Sequence, residues 1–250
     1  MTGLSKKKWL IVVSVVVVLG LAAMAALCVF LFVVPNLFED HILPVYTTEQ
    51  IPSSHPGYRR TTLLTKGSVY VNDYEDYPLR LINPEPAQVI GRYGAGKVCA
   101  IPGQNPAEYV AADCGSEMPA YEVFRNSQTQ PFDWRKAAFQ KMQFSWHNGS
   151  GVNIFTTDQA LITDVVRTLR DGTPVTVSLS VSNSSRNFAE IYLFSDQLPG
   201  MAFCPAVYLD PTGPVYLAES VVFEAAGPKS PSQARWISAS RPLADWVHSH

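Results

Sequence analysis

Residues 10–34 carry no charge at any position, and Val, Leu and Ala dominate them. As a helix rising about 1.5 Å per residue, such a run reaches roughly 37 Å, enough to cross a hydrocarbon core of about 30 Å. Lys6, Lys7 and Lys8 precede the run, whereas the first charges after it are Glu39 and Asp40. Lysine is retained on the cytoplasmic side, so the pattern predicts a cytoplasmic tip over 1–9 and a transmembrane helix over 10–34. The C-terminus is then extracytoplasmic, in a single-pass cell-membrane protein whose helix has lipid as its partner. A cleaved signal peptide shares this order of charge and apolarity, but its apolar region is shorter and ends in small residues. Here Ala22, Ala23, Ala25 and Ala26 lie mid-run and are followed by the apolar stretch from Leu27 to Phe32, which favours a retained signal-anchor.

Past Pro35 the periodicity lapses. Pro44, Pro52, Pro56 and Gly57 punctuate residues 35–60, which read as an extended stalk. The outer domain, residues 61–250, opens with strand-like composition over 61–71. Three short apolar runs, 97–101, 109–113 and 121–125, are separated by Pro- and Gly-bearing turns, the pattern of an antiparallel meander. Residues 158–170 show helical spacing instead: Leu161, Ile162, Val165, Val166 and Leu169 make one stripe. Thr156 and Gln159 have capping-box spacing, and Asp171-Gly172 supplies the stop. A weaker helix is expected over 134–144, burying Trp134, Ala138 and Met142. Val175, Val177, Leu179 and Val181 alternate with polar residues, as in a strand with one wet face. Asp210-Pro211-Thr212-Gly213 is a turn that joins 207–209 to 215–217 as a hairpin. A last helical turn is expected around Leu243, Trp246 and Val247. The sum is an α+β domain: an antiparallel sheet with one main packing helix.

Charge narrows the partners. The 19 Lys+Arg include Lys6, Lys7 and Lys8, so the chain beyond that tip carries 16 Lys+Arg against 21 Asp+Glu. That excess of acid argues against nucleic acid, whose phosphates demand basic patches.

Candidate chemistry is sparse. Gly91 to Lys97 has the spacing of a phosphate-cradling loop, but Val98 stands where a Ser or Thr would hold magnesium and a strand follows. It reads as a glycine-rich turn. Asp73, Glu75 and Asp76 lack the glycine turn of a calcium loop, because Pro78 follows, and no metal site is expected. Cys99 and Cys114 flank one hairpin of the meander and are expected to pair as a disulfide in an oxidising exterior, contributing about 3 kcal/mol. Cys204 remains as an apolar filler. Of the five histidines only His147 lies where a site could form, in the run Trp146-His147-Asn148-Gly149. Trp146, His147 and Asn148 are therefore the candidate ligand-binding residues, with no catalytic residue and no cofactor expected. Asn148 and Asn183 stand in glycan-acceptor sequons.

The stretches 89–93 and 98–111, with the 157–162 helix start and the 210–213 hairpin, resemble the strand–turn–strand pattern of small membrane-anchored extracytoplasmic domain proteins of Gram-positive bacteria. That resemblance implies an architecture and a location; it carries no catalytic residue. The function expected is a non-enzymatic, membrane-tethered binding or sensory module that presents a sheet face to a protein partner, an envelope component or a small ligand. Two alternatives stand beside it: a subunit of a membrane protein complex, and an envelope hydrolase with a site near His147.

Overall fold

The computed structural model describes residues 17–24, 27, 43–52, 59–72, 78–82, 88–94, 96–113, 121–146, 153–177, 187–219 and 235–249. Two units divide the chain, Met1–Pro44 and Val45–His250. In the first, residues 17–24 and 27 are helical and exposed. No helix among the described residues is long and apolar enough to cross a membrane. This corrects the transmembrane helix expected over 10–34, of which only 17–24 and 27 are described. The rest of that run, and the tip over 1–9, lie outside the described residues.

The second unit is mostly β, which corrects the α+β expectation. Two antiparallel sheets make up most of it. The first orders its seven strands as β1 (Thr47–Pro52), β2 (Arg59–Thr65), β3 (Ser68–Val71), β8 (Tyr121–Asn126), β7 (Tyr109–Asp113), β6 (Gly96–Ala100) and β5 (Gln88–Tyr93). Within the segment read as a stalk, residues 47–52 are thus a strand. Val45 forms a parallel bridge to Arg92, and Tyr46 N donates to Arg92 O at 2.7 Å. The residues before β1 therefore reach the far edge strand β5, and the sheet curls toward a barrel. Its inside is filled by Tyr46, Leu63, Tyr70, Val98, Val110, Ala112 and Phe124.

Period-two alternation gives the same strands a second apolar face. Cys99, Tyr109, Ala111 and Val123 point the other way and join the main core. That core is shared with the second sheet, whose path runs β10 (Asn153–Thr156), β9 (Lys141–Trp146), β12 (Phe188–Phe194), β14 (Ala206–Leu209), β15 (Val215–Ala218), β16 (Trp236–Ser238) and β11 (Pro174–Val175). β13 (Met201–Phe203) pairs with the later half of β12, and β4 (Leu79–Leu81) pairs with β13. The meander β6–β7–β8 and the hairpin β14–β15 fall where the sequence places them, the latter with Val207 opposite Leu217.

Two helices cover the inward face of the second sheet. α1 (Gln159–Asp171) buries Leu161, Ile162, Val165 and Leu169, the expected stripe. Its N-cap is Asp158, which accepts from Ala160 N and Leu161 N. Thr156, expected in that role, instead accepts from Asp158 N at 3.1 Å. α2 (Arg241–His248) is capped by Ser240 and buries Leu243 and Val247, each side chain contributing about 2 kcal/mol by leaving water.

The helix expected over 134–144 does not form. Residues 134–136 make a turn and Lys141–Trp146 is β9, because Met142 and Phe144 point into the core while Lys141, Gln143 and Ser145 point away. A strand satisfies that alternation; a helix would scatter it around its circumference.

The expected disulfide is also corrected. Cys99 is a free, buried thiol that faces the core opposite Ala111, two positions before the end of β7. Burial pushes its thiol above the usual range, the nearby Lys97 only partly opposing. Cys114 lies outside the described residues. Cys204 is likewise free and buried.

Candidate functional site

The second sheet has an outward face that neither helix covers, and strand register assembles it. Residues directly opposite on paired strands share a face. Phe155 of β10 stands opposite Gln143 of β9, which stands opposite Tyr192 of β12. One step along, Asn153, Ser145 and Glu190 form a second row. Lys141 and Phe194 form a third. From β4, Arg80 reaches Glu190, with the guanidinium Nη2 at 3.3 Å from Oε1.

These long side chains are held by one another. Gln143 Nε2 donates to Asn153 Oδ1 at 2.9 Å, and Tyr192 Oη donates to Glu190 Oε2 at 2.7 Å. The Lys141 ammonium lies 4.0 Å from the centroid of the Phe155 ring and 5.3 Å from that of Phe194, between two π-faces. Phe155 is nonetheless 52% exposed. An exposed aromatic ring, an amide pair, a carboxylate–guanidinium pair and a cation thus lie side by side with little side-chain freedom left to lose on binding.

Cys204 sits beneath this face. Burial pushes its thiol well above its ordinary range, and Glu190 adds to the effect. Burial also raises the Tyr192 phenol, with Cys204 and Glu190 reinforcing. Both groups stay protonated at neutral pH, so neither offers an anionic nucleophile.

A concavity lies between the helices. A groove of about 700 Å³ is lined by Asp158, Leu161, Thr163, Asp164, Arg167 and Trp246, among others. Asp164, 8% exposed, accepts from Ser240 Oγ and from Arg167 Nη2. Trp246 packs edge-to-face on Phe144, which does the same with Trp146.

Trp146, the one described member of the sequence-predicted trio, therefore belongs to this inward aromatic group and not to the outward face. His147 and Asn148 lie outside the described residues, as do Asp73, Glu75, Asp76 and the Asn183 sequon. The 91–97 segment is a β5–β6 hairpin with its turn at Gly94, as the glycine-rich reading expects. Among the described residues no group of His, Cys, Asp and Glu could hold a metal ion. The outward residues escaped the sequence reading, although the polar alternation of Lys141, Gln143 and Ser145 carried the signal. No family model, no curated protein and no solved structure matches the chain.

Proposed function

We propose that the Val45–His250 unit is a non-catalytic binding module, and that the outward face of β10, β9, β12 and β4 is the surface it presents. One observation carries the reading: the Phe155–Gln143–Tyr192 row and its neighbours already contact one another through hydrogen bonds, an ion pair and a cation–π contact. A surface of mixed aromatic and polar groups with restricted rotamers loses little entropy on binding. The groups that could do covalent chemistry nearby, Cys204 and Tyr192, are held protonated by burial. Such an arrangement recognises and releases; it does not cut.

A photo-crosslinking residue at position 155 tests the reading. The species trapped should be identified, purified and re-bound to the unmodified protein, with its mass unchanged after incubation. Binding should disappear in the Phe155→Ala/Lys141→Ala double variant and persist in Arg170→Ala on the exposed side of α1. Equal binding by the double variant, or a chemically altered species, would refute the reading.

A further inference from the structure

We infer that the ligand of this outward face is an acidic oligosaccharide, a chain of pyranose rings bearing uronate carboxylates; the inference rests on the binding reading above. Charge complementarity points first to an anion. Among the described residues Lys141 has no carboxylate partner: its ammonium is held only by the rings of Phe155 and Phe194. The other charges of the face, Arg80 and Glu190, are paired with each other. Among the described residues the face therefore presents one positive charge without an ion-pair partner.

The remaining groups match a sugar better than a polypeptide. A pyranose ring offers an apolar C–H face flanked by hydroxyls that both donate and accept. Phe155 supplies an exposed aromatic surface for the C–H face. Gln143 keeps its Oε1 and one amide hydrogen unused among the described residues, beside the Asn153 amide in the next row. Neighbouring strands lie about 4.8 Å apart, close to the repeat of linked sugar rings, so successive rings can meet successive strands. A peptide would bring its own backbone donors and acceptors, which a sheet face, unlike a sheet edge, does not satisfy.

Titration calorimetry with the purified full chain decides the matter. The probes are a trigalacturonate, the neutral sugars cellotetraose and chitotetraose, and an oligoglutamate of equal charge. The trigalacturonate should bind at least about tenfold more tightly than either neutral sugar, and weaken as salt rises. Lys141→Gln should reduce its affinity about tenfold, and Phe155→Ala should reduce it comparably, through lost stacking. If oligoglutamate binds as well as the uronate and both variants weaken it, the sugar assignment fails while the binding face stands. If no probe binds, or trigalacturonate binding is unchanged in both variants, the sugar assignment fails outright. Should the species crosslinked at position 155 also ignore both variants, the binding face fails with it.

Discussion

Asp164, buried midway along α1, accepts a hydrogen bond from Ser240, the residue that caps α2. The same hydroxyl accepts from Leu243 N at 3.3 Å, so one side chain ends a helix and ties it to its neighbour. Ser240→Ala should therefore cost more than an ordinary cap. Losing the cap costs about 1 kcal/mol, and leaving the Asp164 carboxylate with one fewer donor adds about 1 kcal/mol. Urea denaturation should show a loss of about 2 kcal/mol, and a double-mutant cycle with Asp164→Ala a coupling of about 1 kcal/mol. Additive single-site effects would mean that the contact carries no energy of its own.

Gly200 and Gly67 have nearly the same left-handed backbone, φ +76° and +78°. Their surroundings differ. A Cβ on Gly200 would lie 2.4 Å from the Pro102 carbonyl oxygen, where the loop after β6 meets the loop after β12; a Cβ on Gly67 meets nothing within 4 Å. Gly67→Ala should cost about 1 kcal/mol, the strain of the conformation alone. Gly200→Ala should cost at least about 2 kcal/mol more, because backbone must move to relieve the overlap. Thermal unfolding of the two variants side by side isolates the close approach.

The buried thiols and phenols make stability fall in alkali. Burial raises Cys204 from its ordinary 9.0 and Tyr192 from 10.0. The unfolded chain then loses these protons first, so the stabilisation is complete below about pH 9 and is lost as pH climbs toward the raised folded values. Melting temperature should decline from about pH 9 upward, and less steeply in Cys204→Ala. In the native protein both Cys204 and Cys99 should resist a thiol reagent at neutral pH, and react once urea unfolds the chain.

What the sequence makes legible is what local spacing determines. The Leu161–Leu169 stripe, the 109–113 and 121–125 strands and the Asp210 turn each need only neighbours in the chain to show themselves. The curling of the first sheet does not, since it depends on Val45 meeting Arg92, a pairing that leaves no periodic trace. β9 was masked by Trp134, Ala138 and Met142, whose four-residue spacing imitates a helix face. The outward site is the least legible part: Arg80, Lys141, Gln143, Phe155 and Tyr192 become neighbours only once four strand registers are fixed. The Trp146-His147-Asn148-Gly149 run is conspicuous in one short segment, yet the Trp146 side chain turns to the core.

The two most deeply buried tryptophans among the described residues should respond unequally to loss of the indole nitrogen. Trp134 donates to Glu219 Oε1 at 2.5 Å, stacks on Phe203 with centroids 5.0 Å apart, and lies under the Arg135 guanidinium, which itself binds Glu219 at 2.8 Å. Trp236, packed beside Phe188 and Tyr208, buries an indole N–H with no acceptor among the described residues. Both changes to Phe give up apolar area, a loss of about 1 kcal/mol. Trp134→Phe in addition removes a donor from a carboxylate, for a total of about 3 kcal/mol, whereas Trp236→Phe removes a donor that was costing about 1–3 kcal/mol to leave unpaired. Urea denaturation should thus find Trp134→Phe strongly destabilised and Trp236→Phe close to the parent. Equal losses would show that an acceptor reaches the Trp236 nitrogen in solution.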